Sequence, residues 1–291
     1  MEKALKVENL TKLYKENRGI NDISFTVDEG MTIGFIGPSG SGKSTLIKAM
    51  LDLITKTSGK VSYFGKSLDT DYVDIMNIIG YLPDKQYDFK NRAIDLLHYT
   101  SRFYDLNCDK EIEYYANYLN VNLNKTLKEM SSGELQKVGL IEALYHKPKI
   151  LFLDEPTSYL DTKSIQIILE ILLKLKQEHV TILISSHELS FIHKIADEIY
   201  MLNEGKINLI DKNLLKADYK KITIALDQEF NIKKFEFKGI KFLNYDKNVV
   251  SFIYQGDINK LLKEISGVSM TDISIQNPSI DEIIGGLIDD L

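Results

Sequence analysis

Apolar residues in this chain fall into two textures. Up to about residue 212 they form short unbroken runs, "MTIGFI" (31–36), "KILFLD" (149–154) and "VTILIS" (180–185), each followed by helical spacing. Unbroken runs of this length suit strands buried on both faces, and the helical segments between them predict an α/β layer around a parallel sheet. "IIGYL" (78–82) reads as a further strand. Residues 85–128, rich in Tyr, Asn, Lys and Asp, show helical patterning and no clear strand, so they read as a helical insertion ahead of residue 130. Beyond residue 212 the texture changes. "KITIAL", "KFEFKG" and "VVSFIY" alternate as half-exposed strands do, and "GDINKLLKEI" has the spacing of an amphipathic helix. The expected organisation is therefore a domain over 1–212 and an α+β accessory domain over 213–291.

Composition narrows the function classes. A hydrophobic share of 44% and a charged share of 27% predict an ordinary packed core. A net charge of −6 without a long basic run argues against nucleic acid as a partner. The single cysteine, Cys108, leaves no intrachain disulfide and fits a reducing compartment. "MEKALKVENL" lacks the apolar core of a signal peptide, and "IQIILEILLKLK" carries Glu170 and Lys174, so it reads as an amphipathic helix and not a membrane span.

Chemistry enters with "GPSGSGKST" (37–45). It follows a buried strand and opens a helical segment, "STLIKAMLDLI", which is the context a phosphate-binding loop needs. Glycines at 37, 40 and 42 let backbone N–H groups turn toward phosphate oxygens, and the helix N-terminus adds partial positive charge. Gly37, Pro38, Ser39, Gly40, Ser41, Gly42, Lys43, Ser44 and Thr45 are thus the candidate nucleotide-binding residues. Lys43 would neutralise the β- and γ-phosphates and the Ser44 hydroxyl would hold Mg2+. "ILFLDEPTS" (150–158) supplies a second half: Asp154 at a strand end for the metal, and Glu155 beside it to orient or deprotonate water.

"MSSGELQK" (130–137) has two readings. Ser131 with Glu134 three residues on is a capping box before a helical stretch. A helix N-terminus with an exposed serine and a glycine is also an anion site.

The order Tyr14, "GPSGSGKST", "IGYLPD", "MSSGELQK", "ILFLDEPTSYLD" and "SSHEL" resembles the ATP-binding subunit of ABC transporters, over residues 1 to about 212. The resemblance implies a P-loop NTPase with a parallel core sheet, an antiparallel N-terminal β region, a helical subdomain at about 85–145, and ATP and Mg2+ as cofactors. It implies that Tyr14 stacks on adenine, that His187 contacts the γ-phosphate, and that Asp161 lies in a loop communicating between two sites. Ser131, Ser132, Gly133 and Glu134 would close over ATP held by a second subunit, with Glu155, His187 and Lys43 catalytic. The partners so implied are integral-membrane permease subunits and an ATPase, either a second copy or a different ABC ATPase, at the cytoplasmic face of the membrane. Two positions depart from the family pattern. Asp84 stands where a glutamine sensor is usual, so it either binds the metal, directly or through water, or fails to reach it, with Gln86 a substitute only if the loop is shifted. Ser132 and Glu134 replace a glycine and a glutamine, and Glu134 either faces the partner's phosphate or turns back to cap its own helix.

Within the family, ABC proteins of chromosome maintenance carry long coiled coils between the two ATP motifs, and translation factors carry two cassettes in one chain. Neither pattern is present, so a transporter ATPase is expected over a translation or DNA role. The tail "VSMTDISIQNPSIDEIIGGL", with Ile280 and Ile284 for the usual Leu and Phe, resembles drug- and bacteriocin-exporter ATPases. That implies export of a hydrophobic drug or an amphipathic or antimicrobial peptide.

Overall fold

Three of the apolar runs become the centre of the molecule. In a computed structural model that describes residues 2–15, 18–84, 90–104, 107–210, 219–227, 239–278 and 282 (side chains at 241–243 and 245 excepted), they are the strands β3 (Thr32–Ile36), β7 (Ile150–Asp154) and β8 (Thr181–Ser185), buried along their whole length. β6 (Ile79–Leu82) and β9 (Glu198–Asn203) flank them, and β10 (Lys206–Ile210) closes the edge, giving the order β10-β9-β3-β8-β7-β6. All pairings are parallel except the β9–β10 hairpin. β8 lies between β3 and β7, so the segments leaving the carboxyl ends of these three strands emerge side by side, about 5 Å from one strand to the next. Open α/β sheets bind ligands at that edge.

An antiparallel sheet covers the other side of α1 (Lys43–Met50), in the order β2-β1-β4-β5. Its strands are β1 (Lys3–Leu13), β2 (Gly19–Asp28), β4 (Ser58–Tyr63) and β5 (Lys66–Ser67). Rings lock the layers: Phe25 meets Phe35 edge-on at 5.7 Å and Tyr63 meets Phe152 at 6.4 Å. The buried Tyr63 hydroxyl donates to the Met50 carbonyl at 2.8 Å, so its polar tip is satisfied at the end of α1. The helical pattern at 44–54 extends past the helix itself, because Asp52 turns left-handed at φ 55° and ends it.

The insertion is helical, as its pattern predicts. After α2 (Leu68–Met76) and β6 come α3 (Ala93–Ser101), α4 (Asp109–Tyr118), a 3-10 turn at Leu127–Glu129 and α5 (Ser132–Leu144). Cys108 is buried at the start of α4. α6 (Thr162–Gln177) is the amphipathic helix of the sequence, with Ile168, Leu172 and Leu175 inward and Lys174 outward. α7 (Leu189–Ile195) follows β8.

Contacts divide the chain into two compact units, Met1–Ile210 and Asp211–Leu291. In the second, β11 (Tyr219–Leu226), β12 (Ile240–Asp246), β13 (Val249–Gln255) and β14 (Met270–Gln276) form an antiparallel sheet of order β12-β13-β11-β14. Helix α8 (Ile258–Ile265) contributes Leu261 and Ile265 to a core with Ile222, Ile224, Val250 and Phe252. The expected junction at 212, most of "KFEFKG", Gln86, Ile280 and Ile284 lie outside the described residues.

Candidate active site

The loop after β3 needs glycine at both ends. An ideal Cβ on Gly37 (φ 146°) would lie 2.2 Å from the Leu202 carbonyl oxygen, and one on Gly42 (φ 111°) would lie 2.9 Å from Ile20 Cγ2. Between them the chain turns around the Lys43 ammonium, which donates to the Gly37 carbonyl at 2.8 Å and the Pro38 carbonyl at 3.4 Å. Lys43 Nζ also lies 3.7 Å from Glu155 Oε1. An ammonium held by carbonyls in this way keeps its charge inside the loop, where an anion would meet it.

The first turn of α1 joins the loop to the end of β7. Ser44 Oγ donates to Asp154 Oδ1 at 3.1 Å, and Ser185 Oγ, from the end of β8, donates to the same oxygen. Asp154 is fully buried, yet its Oδ2 has no hydrogen-bond partner among the described residues. Burial pushes this carboxyl above the usual range; the Ser185 and Ser44 hydroxyls pull it partly back, and the charge of Asp84 pushes it up again. A buried carboxylate with an orphaned oxygen is an unfinished arrangement, of the kind a cation completes.

Glu155 follows in the left-handed region, φ 53°, an uncommon conformation for a side chain of its size. Its N–H donates to the carbonyl and the hydroxyl of Ser185, each at 3.1 Å. Its Oε2 lies 2.8 Å from His187 Nδ1 and accepts the His187 backbone N–H at 3.3 Å. From α5, Gln136, 1% exposed, donates Nε2–H to the Glu155 carbonyl at 3.1 Å. The carboxylate is therefore aimed by contacts from β8, α5 and the phosphate loop.

These groups open onto a cleft of about 450 Å3, lined among others by Tyr14, Lys43, Ser44, Asp84, Glu155 and His187. Ser39, Gly40, Gly42 and Thr45 line it too; Gly37, Pro38, Ser41 and Asp154 do not. Tyr14 is 48% exposed, with the Lys12 ammonium 4.9 Å over its ring. A larger groove of about 670 Å3, between Glu29, Tyr114, Lys149 and His179, holds none of the motif residues.

The remaining candidates lie apart from the cleft. Ser131 caps α5: its Oγ accepts the Glu134 N–H at 3.2 Å, while Glu134 Oε2 accepts the Ser131 N–H at 3.0 Å and the Ser131 hydroxyl at 3.2 Å. Glu134 Oε1 accepts from the Lys125 ammonium at 2.8 Å. Of its two readings, Glu134 takes the one in which it turns back on its own helix. The Lys125 ammonium first, then the Ser131 N–H, hold its carboxyl below the usual range. Ser132 is the first helical residue. Gly133 packs so closely on the next loop that a Cβ would lie 2.7 Å from the Tyr159 carbonyl oxygen. Asp161 caps α6 by accepting the Ser164 N–H at 2.8 Å.

Sequence reasoning passed over Arg18 and Ser158 of the cleft wall, Ser185, Lys125 and Gln136. Only Gln136 carried a signal: it is a lone amide on the buried face of α5 with Gly139, Leu140 and Ala143.

With this geometry in view, comparison with known proteins is direct. A family model described as ABC transporter matches residues 20–158. The bacitracin transport ATP-binding protein BcrA of Bacillus licheniformis is 28% identical, an alignment covering 98% of this chain and 99% of that protein. The lantibiotic transport ATP-binding protein SrtF of Streptococcus pyogenes is 35% identical over 70% of this chain and 89% of its own. Among solved structures, an ATP-binding subunit of an ABC transporter superposes with a TM-score of 0.66 at 25% identity, covering 73% of this chain and 92% of its own.

Proposed function

This chain belongs to the ABC transporter ATP-binding family, whose members are ATPases coupled to transport, and on that premise we propose that it drives export of a hydrophobic drug or an amphipathic antimicrobial peptide. One observation carries the choice of cargo. The resemblance to the bacitracin transport protein covers 98% of the chain and so runs through both compact units, whereas that to the lantibiotic relative covers 70%. The accessory unit is thus shared with a protein named for a peptide antibiotic. No helix among the described residues is long and apolar enough to cross a membrane. On this reading the cargo path belongs to separate permease subunits, and the chain works at the cytoplasmic face.

The residues divide the work as follows. ATP lies with its adenine on Tyr14 and its phosphates in the loop 37–45, where the Lys43 ammonium gives up its carbonyls for phosphate oxygens and stabilises developing charge. The donor set at Ser44 and Asp154 suits a hard divalent cation, and the orphaned Asp154 Oδ2 is the observation that fits one. Mg2+ there, with Asp84 as an added carboxylate beside the cleft, supplies charge neutralisation at the phosphates. Glu155 polarises the attacking water and His187 holds the γ-phosphate; their 2.8 Å contact keeps the base and its neighbour aligned. Ser131, Ser132, Gly133 and Glu134 close over the nucleotide of a second ATPase subunit, and the Gly133–Tyr159 contact links that surface to the loop reaching Asp161.

The test is to recover the tagged chain from native membranes and identify its companions by mass spectrometry. A multi-span permease is the expected companion; recovery with ribosomes or DNA-bound proteins alone would reject the transport reading. In the recovered complex, Glu155→Gln should retain ATP binding and lower turnover at least a hundredfold. Wild-type hydrolysis in that variant would remove Glu155 as the base.

A further inference from the structure

Glu134 introduces a problem that the fold answers in an unexpected place. A carboxylate within 3.2 Å of the Ser131 hydroxyl would repel the phosphate which that serine is meant to receive. Its own hydrogen bonds do not remove the charge, because the Ser131 N–H and hydroxyl are neutral donors. The Lys125 ammonium offsets it with an opposite charge, at 2.8 Å from the other carboxylate oxygen.

Lys125 is not a stray surface lysine. Its carbonyl accepts the Ala93 N–H at 3.0 Å, at the first residue of α3, and its own N–H donates to the Asn122 carbonyl at 3.3 Å. The next residue, Thr126, forms a bridge with Arg92 and opens a capping box in which Glu129 Oε2 accepts the Thr126 N–H at 3.1 Å. A second box, Ser131 with Glu134, follows immediately. Two capping boxes in series fold the chain so that the lysine ahead of the first meets the glutamate that ends the second. The exposure is also unequal: 42% for the Lys125 side chain against 28% for Glu134. The face turned outward is the cationic member of the pair, with ammonium N–H groups beyond the one Glu134 accepts.

We infer that Lys125 is a positioning residue of the signature segment, holding Glu134 as a neutralised helix cap so that residues 131–134 can receive the γ-phosphate bound by a second copy of this chain. The inference rests on the sandwich reading proposed above. Its consequence concerns the partner. The glutamate of this signature is no defect requiring a different ATPase to supply a better one, so two copies of this chain suffice for two closed sites.

The test uses the purified full chain carrying Glu155→Gln, incubated with ATP and Mg2+, with its monomer–dimer equilibrium measured by sedimentation. A homodimer is expected. Adding Lys125→Met should raise the dimer dissociation constant about tenfold, since a twofold dimer contains this exposed ion pair twice and each is worth a few-fold. Binding of a fluorescent ATP analogue to the monomer should not change, because Lys125 is not part of the cleft. Adding Glu134→Gln to Lys125→Met should restore dimerisation to within about threefold, which a purely structural role for Lys125 would not produce. Unchanged dimerisation in Lys125→Met, or a double variant as weak as the single, would overturn the inference. So would a Glu155→Gln chain that binds ATP and stays monomeric. In that case, adding an ATPase recovered from native membranes separates the two ideas: dimer formation keeps the sandwich reading, and none rejects both.

Discussion

Gln136→Leu puts the link between α5 and Glu155, the proposed base, to the test. The amide is 1% exposed and donates to the Glu155 carbonyl at 3.1 Å, at a residue held in the left-handed region at φ 53°. Removing the donor leaves the Glu155 carbonyl with the Ser158 N–H alone, at 3.2 Å, so the cost is that of one hydrogen bond, about 0.5–1.5 kcal/mol. Leucine returns roughly 1 kcal/mol through added apolar burial. The two nearly cancel, leaving a change within about 0.5 kcal/mol and a shift in Tm of no more than roughly 2 °C for a unit of this size. Catalysis should suffer more than stability. A left-handed Glu155 stores about 1–2 kcal/mol of backbone strain, released if the backbone relaxes. The carboxylate then swings from His187, and a misplacement of about 1 Å costs on the order of a hundredfold in rate. The assay pairs steady-state ATP hydrolysis in the assembled transporter with equilibrium binding of a fluorescent ATP analogue. Expected is a kcat lowered about ten- to a hundredfold with nucleotide affinity unchanged, because Gln136 does not line the cleft. A variant that keeps kcat within twofold would show that Gln136 merely fills the core. A parallel loss of affinity and kcat would show that it supports the phosphate loop instead.

Three further outcomes follow from the same geometry. Burial raises the Glu142 carboxyl in α5 from 4.5 to about 7, so the folded state binds its proton more tightly than the unfolded chain does. Stability from this group is complete below about pH 4.5 and is lost as pH climbs to about 7; Glu142→Gln should therefore raise stability at pH 8 by up to about 3 kcal/mol and leave it unchanged at pH 4, measured by urea unfolding at both. Asp84→Gln takes one carboxylate from beside the cleft and should raise the Mg2+ concentration for half-maximal ATP hydrolysis about tenfold; an unchanged rate and metal dependence would remove Asp84 from the site. Gly42→Ala must place a Cβ 2.9 Å from Ile20 Cγ2 at φ 111°, so melting should show a loss of about 1–3 kcal/mol and titration a loss of ATP affinity.

Legibility in this chain follows the range of the forces involved. The strands at 31–36, 149–154 and 180–185 could be read because a strand buried on both faces must be apolar throughout, and all three are. The glycines of the phosphate loop could be read because positive φ is a local property with few solutions. The end of α1 could not be: "LDLI" continues the helical pattern, and only the left-handed turn at Asp52 stops it. Lys125 was illegible for a different reason. Its meaning depends on two short capping motifs folding back, and no period in the sequence announces that. Gln136 stood between these cases, visible as a polar residue on an apolar helix face but without an address until Glu155 came beside it.

The signature segment is where these limits matter most for function. Its local reading, a capping box, is the geometry observed, and on the proposed mechanism it is also the source of the site's incompleteness. The loops after β3, β7 and β8 share one cleft, while Ser131 to Glu134 do not line it. On that mechanism one chain holds the phosphate loop, the base and the histidine of one site and the closing surface of another. Gln136 and Gly133 tie that closing surface to Glu155 and Tyr159 of the same chain. If the segment engages a neighbour's γ-phosphate, the same rigid contacts bear on this chain's own carboxylate. ATP binding in one subunit and closure by the other must then strengthen each other by equal factors, as linkage requires. On the proposed mechanism, hydrolysis in either site would remove the γ-phosphate that the other subunit's signature holds, so the energy released would act first on the joint between subunits, where a permease could use it.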